Sequence, residues 1–279
     1  MQIIPSVAGL RAWSRAQRKA GQTVGLVPTM GALHEGHRSL VQRARAECGA
    51  VAVSIFVNPT QFGPNEDFSR YPRTFEADCA LLEAQGVDVI FAPESAEMYP
   101  PGATTFVEVE GLSDRLDGQS RPGHFRGVAT IVAKLFLAAE PDRAYFGQKD
   151  AAQVAVLRRM VADLGLPVEL VVCPIVREPD GLAMSSRNRY LSGEERKRAL
   201  VLQRALGVVE AAFAAGERNA AKLTDLARHE FSTQREVRLE YIEAVDWSSL
   251  LPVGTATSGT LFAVAAWVGQ TRLIDNLIL

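Results

Sequence analysis

The chain has 279 residues but only four histidines, and two of these stand three apart in Val27-Pro28-Thr29-Met30-Gly31-Ala32-Leu33-His34-Glu35-Gly36-His37. At that spacing two imidazoles share a face if a helix begins beneath them. Gly31 and Gly36 let the backbone turn and approach a ligand closely. A helix start offers unpaired N–H groups and the positive end of its dipole, which suits phosphate. Two imidazoles aimed at one point donate hydrogen bonds to phosphate oxygens and add cationic character as charge builds on a leaving pyrophosphate. The plainer alternative is a surface pair that caps a helix. Zinc fits poorly, because Glu35 lies between the pair and no third ligand is spaced for it. The glycines do not form GxGxxG, so this is no dinucleotide loop.

Two further clusters complement the first. Ala183-Met184-Ser185-Ser186-Arg187-Asn188 follows Asp180-Gly181 and places two hydroxyls and a guanidinium on one irregular loop, a ready phosphate clamp. Alone it would be an unremarkable turn; downstream of HxGH it reads as a loop that closes over ATP and excludes water. Tyr145-Phe146-Gly147-Gln148-Lys149-Asp150-Ala151-Ala152-Gln153 supplies an ammonium able to follow a phosphate through a reaction, with Gln153 one helical turn on. Asp150 suits an N-cap or a ribose hydroxyl, the plain alternative being a solvated helix start. Asn58-Pro59-Thr60-Gln61-Phe62 adds amides that orient a carboxylate or hydroxyl. After Arg121-Pro122-Gly123-His124, a stripe of Val128, Ile131, Val132 and Leu135 reads as ordinary core, with an apolar wall for a branched aliphatic substrate as a compatible second role.

The elements that must carry these residues alternate. Short apolar runs at 24–27, 51–57, 87–92 and 144–146 read as strands covered on both faces, and helical patterns fall at 37–48, 74–85, 125–139 and 150–164. This βαβ rhythm predicts an α/β fold, an open parallel sheet flanked by helices, with ligands at the carboxyl ends of its strands. After Val176 the character changes. Ser192-Gly193-Glu194-Glu195 has capping-box spacing and starts a helix to about 215; another follows at 219–232, then strands at 237–245 and 261–268. A smaller α+β C-terminal domain over 177–279 therefore follows a larger one over 1–176. Composition agrees with a globular enzyme or binding protein: 47% hydrophobic, 22% charged, 30 basic against 32 acidic residues and a formal charge of −2. That balance argues against binding nucleic acid by bulk electrostatics. Cys48, Cys79 and Cys173 form no CxxC pair and read as reduced, small apolar residues. No secretory signal is visible at the N-terminus, and the charge-free stretch 247–271 holds only one short apolar run, a buried strand rather than a membrane span.

HxGH with a downstream Met-Ser-Ser-Arg resembles the adenylate-forming nucleotidyltransferase pattern, whose class I aminoacyl-tRNA synthetases carry a KMSKS-type loop. PTMGALHEGH, IFVNPTQFGPNEDF, RPGHFRGV, YFGQKD and MSSRNRYLS, in this order, closely resemble the pantothenate synthetase (pantoate–β-alanine ligase) family, from about residue 20 through the closing TRLIDNLIL. The resemblance implies ATP-dependent joining of (R)-pantoate to β-alanine through a pantoyl adenylate, a Rossmann-type N-terminal domain, a C-terminal lid domain, magnesium and a cytoplasmic homodimer. By motif position it assigns Met30, Gly31, Ala32, Leu33, His34, Glu35, Gly36 and His37 to ATP, with His37 the family's proton donor. Gly147, Gln148, Lys149, Asp150, Val176, Met184, Ser185, Ser186 and Arg187 complete that site. Gln61 and Gln153 are assigned to pantoate, and Gln61 to β-alanine as well. In one departure, Ala152 stands where the family commonly has the first of two glutamines; Gln153 is retained.

The chemistry fits. A pantoate carboxylate is ionised at neutral pH and needs no general base to attack the α-phosphorus. His34, His37, Lys149, Ser185 and Arg187 are expected to meet around the triphosphate and spread the charge on departing pyrophosphate. No residue stands out as a base for the amine step, and no spacing singles out a magnesium ligand, although Asp78 and Asp150 are nearby acids. Two rival readings stand beside the ligase. One is a cytidylyl- or adenylyltransferase acting on a phosphorylated acceptor, which would want a cationic acceptor pocket. The other is a nucleotide-binding regulatory module without chemistry.

Overall fold

In the computed structural model, which describes residues 1–64, 66–234 and 236–279, six parallel strands form the larger sheet. They are β1 (Gln2–Ile4), β2 (Val24–Thr29), β3 (Ala50–Ile55), β4 (Val89–Phe91), β5 (Arg143–Gly147) and β6 (Glu169–Cys173), in the order β1-β4-β3-β2-β5-β6. The helices of this part are α1 (Val7–Lys19), α2 (Glu35–Glu47), α3 (Phe75–Ala84), one-turn α4 (Ser95–Met98) and α5 (Asp117–Ser120), α6 (His124–Ala139) and α7 (Ala151–Asp163). The expected Rossmann-like α/β architecture is present. Strand order reverses between β2 and β5, which are neighbours in register from Gly25↔Arg143, so the topological switch point lies there. The chain leaves β2 into the His34 loop and leaves β5 into the Lys149 turn.

The predicted strands and helices of this sheet are present with ends shifted by a few residues. Strands β1 and β6, helix α1 and the one-turn helices α4 and α5 were not read from sequence. Strand β1 is three residues at a sheet edge and mostly exposed; β6, at the other edge, is half-exposed and bracketed by Pro167 and Pro174. Helix α1 buries only Leu10 and Ser14, so its apolar signal is thin. The central strands β2 and β3 are buried at nearly every position, which is why their runs are continuous rather than alternating. Between them and α2 and α3 lies a core of Val27, Leu40, Val53, Leu82, Ile90 and Tyr145. Cys48 and Cys173 are buried in the same cluster, and burial pushes both thiols above their ordinary range.

The chain divides into two compact units. One comprises residues 1–114, 118–147 and 156–173, and the other 115–117, 148–155 and 174–279. The second unit contains α8 (Gly193–Ala199), α9 (Val201–Ala214) and α10 (Ala220–Ser232), with a smaller antiparallel sheet of β7 (Val237–Asp246), β8 (Thr260–Val268) and β9 (Thr271–Ile278) in that order. Ser192 caps α8 through the expected box, accepting from Glu195 N–H while the Glu195 carboxylate accepts from Ser192 N–H. The single helix predicted to 215 is instead two, because Leu200, at φ −62° and ψ −11°, interrupts the ladder. Helices α9 and α10 pack Leu202, Leu206 and Leu223 with Phe262 and Val264 of β8. Among the described residues no helix is long and apolar enough to cross a membrane.

Helix α6 is buried over most of its length, including Val128, Ile131, Val132 and Leu135, so the stripe is core. Its Gly127 has a separate task. A Cβ there would lie 2.6 Å from the Thr60 carbonyl carbon and 2.7 Å from Gln61 Cα, both backbone atoms. Gly127→Ala is therefore expected to cost about 1–3 kcal/mol in urea unfolding by overpacking. Gly207→Ala, inside α9 with no atom within 4 Å of the new Cβ, should stabilise by about 0.5–1 kcal/mol. Equal effects at the two positions would contradict this account of Gly127.

Candidate active site

The His34 loop begins where β2 ends. Gly31 (φ +80°) and Ala32 (φ +51°) are both left-handed, a conformation that a non-glycine residue holds only when its surroundings impose it. The imposing group is Asp78 of α3, a residue 3% exposed. Its Oδ2 accepts from Ala32 N–H and its Oδ1 from Leu33 N–H, both at 2.9 Å, while Thr74 Oγ1 donates to Oδ1 at 3.2 Å. Thr29 Oγ1 accepts from Gly31 N–H at 3.1 Å and donates to Ser54 O at 2.6 Å. A Cβ on Gly31 would meet Asp78 Oδ2 at 3.0 Å and Ile55 Cγ2 at 3.1 Å, so the position takes glycine for both conformation and space.

His34 is not in the first helical turn, as its spacing suggested; it is the N-cap of α2. Its Nδ1 accepts from Gly36 N–H at 3.1 Å, and His37 Nδ1 accepts from His34 N–H at 3.4 Å. The two rings lie 4.1 Å apart between centroids. The plain reading, that these histidines cap a helix, is thus correct, and it has a chemical consequence. An imidazole whose Nδ1 accepts carries its proton on Nε2 when neutral, so the capping bonds set both rings as Nε2–H donors at a helix N-terminus. Glu35, on the same turn, is exposed and pairs with Arg38 at 3.2 Å.

The Gln61 turn is held by a polar network rather than by packing alone. Asn58, 1% exposed, donates through Nδ2 to Gln61 Oε1 at 3.0 Å and to Gly127 O at 3.1 Å. Its Oδ1 accepts from Tyr99 Oη at 2.8 Å and from Thr60 Oγ1 at 3.0 Å. With Oε1 engaged, the Gln61 amide is oriented, and Nε2 lies 3.1 Å from Met30 Sδ. The Gln61 carbonyl is gripped by Arg121 Nη2 at 3.3 Å and His124 Nδ1 at 2.9 Å. Arg121 also donates to His124 Nε2 at 3.0 Å and pairs with Glu66 at 2.6 Å. A ring nitrogen facing a guanidinium must accept, so His124 carries its proton on Nδ1. Sequence reading found Asn58 and Gln61 but not Tyr99, a half-buried phenol whose partners lie about forty residues away in the chain.

In the second unit, the segment 183–188 expected as an irregular loop is instead the end of a tight hairpin over 176–184 and the start of a short 3₁₀ turn. Arg177 and Ala183 form a bridge, Glu178 N–H donates to Leu182 O at 2.8 Å, and Gly181 turns the chain at φ +95°. Val176 O accepts from Met184 N–H at 2.9 Å. Ser185 then caps a short 3₁₀ turn (Ser186–Tyr190) by accepting from Arg187 N–H at 3.2 Å, and Ser186 is buried. Asn188 ties the turn to the hairpin through Glu178 (2.7 Å) and Ala183 O (3.0 Å), and Arg196 pairs with both Glu178 and Asp180. Lys149 lies in the 3₁₀ turn Gln148–Asp150, 3.8 Å from Asp150, with Gln153 in the first turn of α7. Lys149, Ser185, Asn188 and Asp275 line one cavity of about 10 Å³, so the structure places the Lys149 turn beside the start of the clamp.

The described residues contain no group of three or more acidic, histidine or cysteine side chains able to hold a metal. Asp78 does not suit a metal, because both its oxygens already accept backbone N–H groups.

The whole chain, residues 2–278, matches the family model described as Pantoate-beta-alanine ligase. It is 65% identical to a pantothenate synthetase of Acidobacterium capsulatum over 92% of this chain and 86% of that one. Identity to a pantothenate synthetase of Thermotoga neapolitana is 57% over the full length of both. Among solved structures, a pantothenate synthetase from Thermus thermophilus superposes with a TM-score of 0.94 at 49% identity, covering 100% of this chain and 99% of that one. The pantoate-beta-alanine ligase of Francisella tularensis, complexed with beta-gamma ATP and beta-alanine, gives 0.80 at 33% identity, covering 100% and 97%.

Replacing Asp78 by Asn leaves one oxygen and turns an N–H₂ toward backbone donors. The expected cost is about 1–3 kcal/mol in denaturant unfolding, whereas a change within error would remove Asp78 as the holder of the loop. At Asp180, burial pushes the carboxyl up, but hydrogen bonds from Arg196 and Leu182 N–H outweigh it and hold the group below its ordinary range. A depressed folded value means that its contribution is present above the unfolded value of about 4 and lost as pH falls through the folded one. The melting temperature of the parent chain should therefore fall more steeply below pH ~4 than that of Asp180→Asn. Parallel curves would refute the link.

Proposed function

The chain belongs to the pantoate–beta-alanine ligase family, and we propose that its residues divide the reaction as follows. The enzyme condenses (R)-pantoate with β-alanine, converting ATP to AMP and pyrophosphate through a pantoyl adenylate. Pantoate's carboxylate oxygen attacks the α-phosphorus, and the bond to the bridging oxygen of pyrophosphate breaks. The β-alanine amine, once deprotonated, then attacks the carbonyl carbon, and AMP leaves with the electron pair of the mixed-anhydride bond.

His34 and His37 act as Nε2–H donors to phosphate oxygens, the role supported by the observation that carries this reading: each Nδ1 is committed as an acceptor within α2's own cap. We read His37 as a stabiliser of the leaving group rather than an obligatory proton donor, since the attacking carboxylate needs no base. Lys149, Ser185 and Arg187 are assigned to the same developing charge. Met30 to His37, Gly147 to Asp150, Val176 and Met184 to Arg187 are assigned to ATP. Gln61 and Gln153 are assigned to pantoate, and Gln61 also to β-alanine. The oriented Gln61 amide supports this, with Nε2 as the donor to a carboxylate or hydroxyl oxygen. Residues 1–176 serve as the ATP- and pantoate-binding domain and residues 177–279 as the smaller lid domain.

Magnesium belongs to this reading as an ion held chiefly by ATP oxygens, given that the described acids form no cage. A cytoplasmic location is supported by three free thiols, and a homodimer by family likeness.

Pantoate-dependent exchange of labelled pyrophosphate into ATP, with β-alanine omitted, tests the adenylate. His37→Ala and Lys149→Ala are expected to lower that exchange by about 10²–10³-fold each, on the scale of removing an oxyanion donor, with unchanged circular dichroism. Exchange without pantoate, or none at all, would count against the adenylate, and normal exchange in both folded variants would reject the role assignments.

A further inference from the structure

The closing segment Thr271-Arg272-Leu273-Ile274-Asp275-Asn276 has no part in the assignments above, yet its last two residues are each only 3% exposed. They are adjacent on β9, an edge strand, so their side chains leave opposite faces. A buried pair of polar residues at such a place needs partners, and each has them. Asn276 Nδ2 donates to the carbonyls of both Gln148 and Lys149 at 3.0 Å, and its Oδ1 accepts from Gln148 Nε2 at 3.1 Å. Both amide hydrogens and the amide oxygen are therefore engaged by the turn that carries Lys149. Asp275 takes Arg177 in a two-pronged pair at 2.7 and 3.1 Å, and its Oδ1 also accepts Asn276 N–H at 2.8 Å. Arg177 Nη1 in turn donates to Gly181 O at 3.1 Å, in the turn of the hairpin that leads to Ser185 and Arg187. Strand β9 touches both the 148–150 turn and the 186–190 turn.

We propose that Asp275 and Asn276 form a paired positioning device for the adenylation step: Asn276 sets the backbone from which Lys149 reaches, and Asp275, through Arg177, sets the hairpin that presents Ser185 and Arg187. Because one dipeptide holds both elements, the spacing between the ammonium and the hydroxyl–guanidinium loop is fixed by a single peptide unit of β9. Covalent geometry is stiff there, whereas two separate surface loops would each wander. The inference rests on the assignment of Lys149 and of 184–187 to the triphosphate.

The test is a pair of double-mutant cycles read by pantoate-dependent pyrophosphate exchange, with folding followed by circular dichroism and melting temperature. Asn276→Ala is expected to lower the exchange kcat on the order of ten- to a hundred-fold, the scale of an ångström of misplacement. In a Lys149→Ala background the same change should cost less than about twofold, since a positioning residue has nothing left to position. Asp275→Asn should behave likewise toward Arg187→Ala. Asn276→Ser keeps one donor and should recover part of the loss; it also replaces the alanine variant in the cycle if that variant does not fold. Equal losses in both backgrounds, or full exchange in folded Asn276→Ala, would overturn the proposal while leaving Lys149 in its role. Full exchange in Lys149→Ala alone would instead overturn the assignment beneath it, and the positioning proposal with it.

Discussion

A buried carboxylate whose oxygens are both committed to backbone N–H groups is the constraint on which the first half of the site depends. Asp78 holds Ala32 and Leu33 in a turn that the chain would not adopt unaided, because Ala32 sits at positive φ and the peptide groups there point away from any sheet or helix partner. Once that turn is set, His34 falls at the N-cap of α2, and His37 follows one turn on. The imidazole orientations are then consequences of the cap. A carboxylate suits this task better than an amide because it accepts twice without presenting a donor to a donor.

The same arrangement recurs elsewhere. The Gln61 carbonyl is held by His124 and Arg121, and the Lys149 turn by the amide of Asn276. In each case a side chain outside the motif satisfies the backbone of a segment to which a role in the reaction is proposed. Buried polar groups of this kind cost stability if any partner is lost, so they give a sharply defined geometry at points where apolar packing alone would allow sliding. Catalysis by charge stabilisation needs that definition, since donors must already point to where the charge will appear.

Much of the architecture was legible in the residues. Continuous apolar runs marked β2, β3 and β5 because strands covered on both faces leave no polar parity, and Ser192 with Glu195 marked the start of α8. The edge strands β1 and β6 were not legible, because exposure dilutes the apolar signal and leaves three to five residues of ambiguous pattern. Helix α1 escaped for the same reason, and the break at Leu200 carries no proline or glycine to announce it. Among site residues, His34, His37, Lys149, Gln61 and the Met184–Arg187 stretch stood out by type and spacing. Asp78, Tyr99, Arg177, Asp275 and Asn276 did not show what they hold, because their partners lie far away in the chain and most are backbone atoms that sequence does not distinguish.

What the sequence determined by itself was therefore the inventory and the local order: which chemical groups exist, that a strand ends just before the His34, Gln61 and Lys149 clusters, and that HxGH with Met-Ser-Ser-Arg resembles an adenylate-forming pattern. What only the tertiary structure decided was which nitrogen of each imidazole carries its proton, which way the Gln61 amide faces, and which strand anchors Lys149. The physical reason is that hydrogen-bond direction is a property of pairs. A residue's type states what it can donate or accept, but the partner that commits it is brought by the fold, from forty-odd residues away for Asp78 and well over a hundred for Asn276.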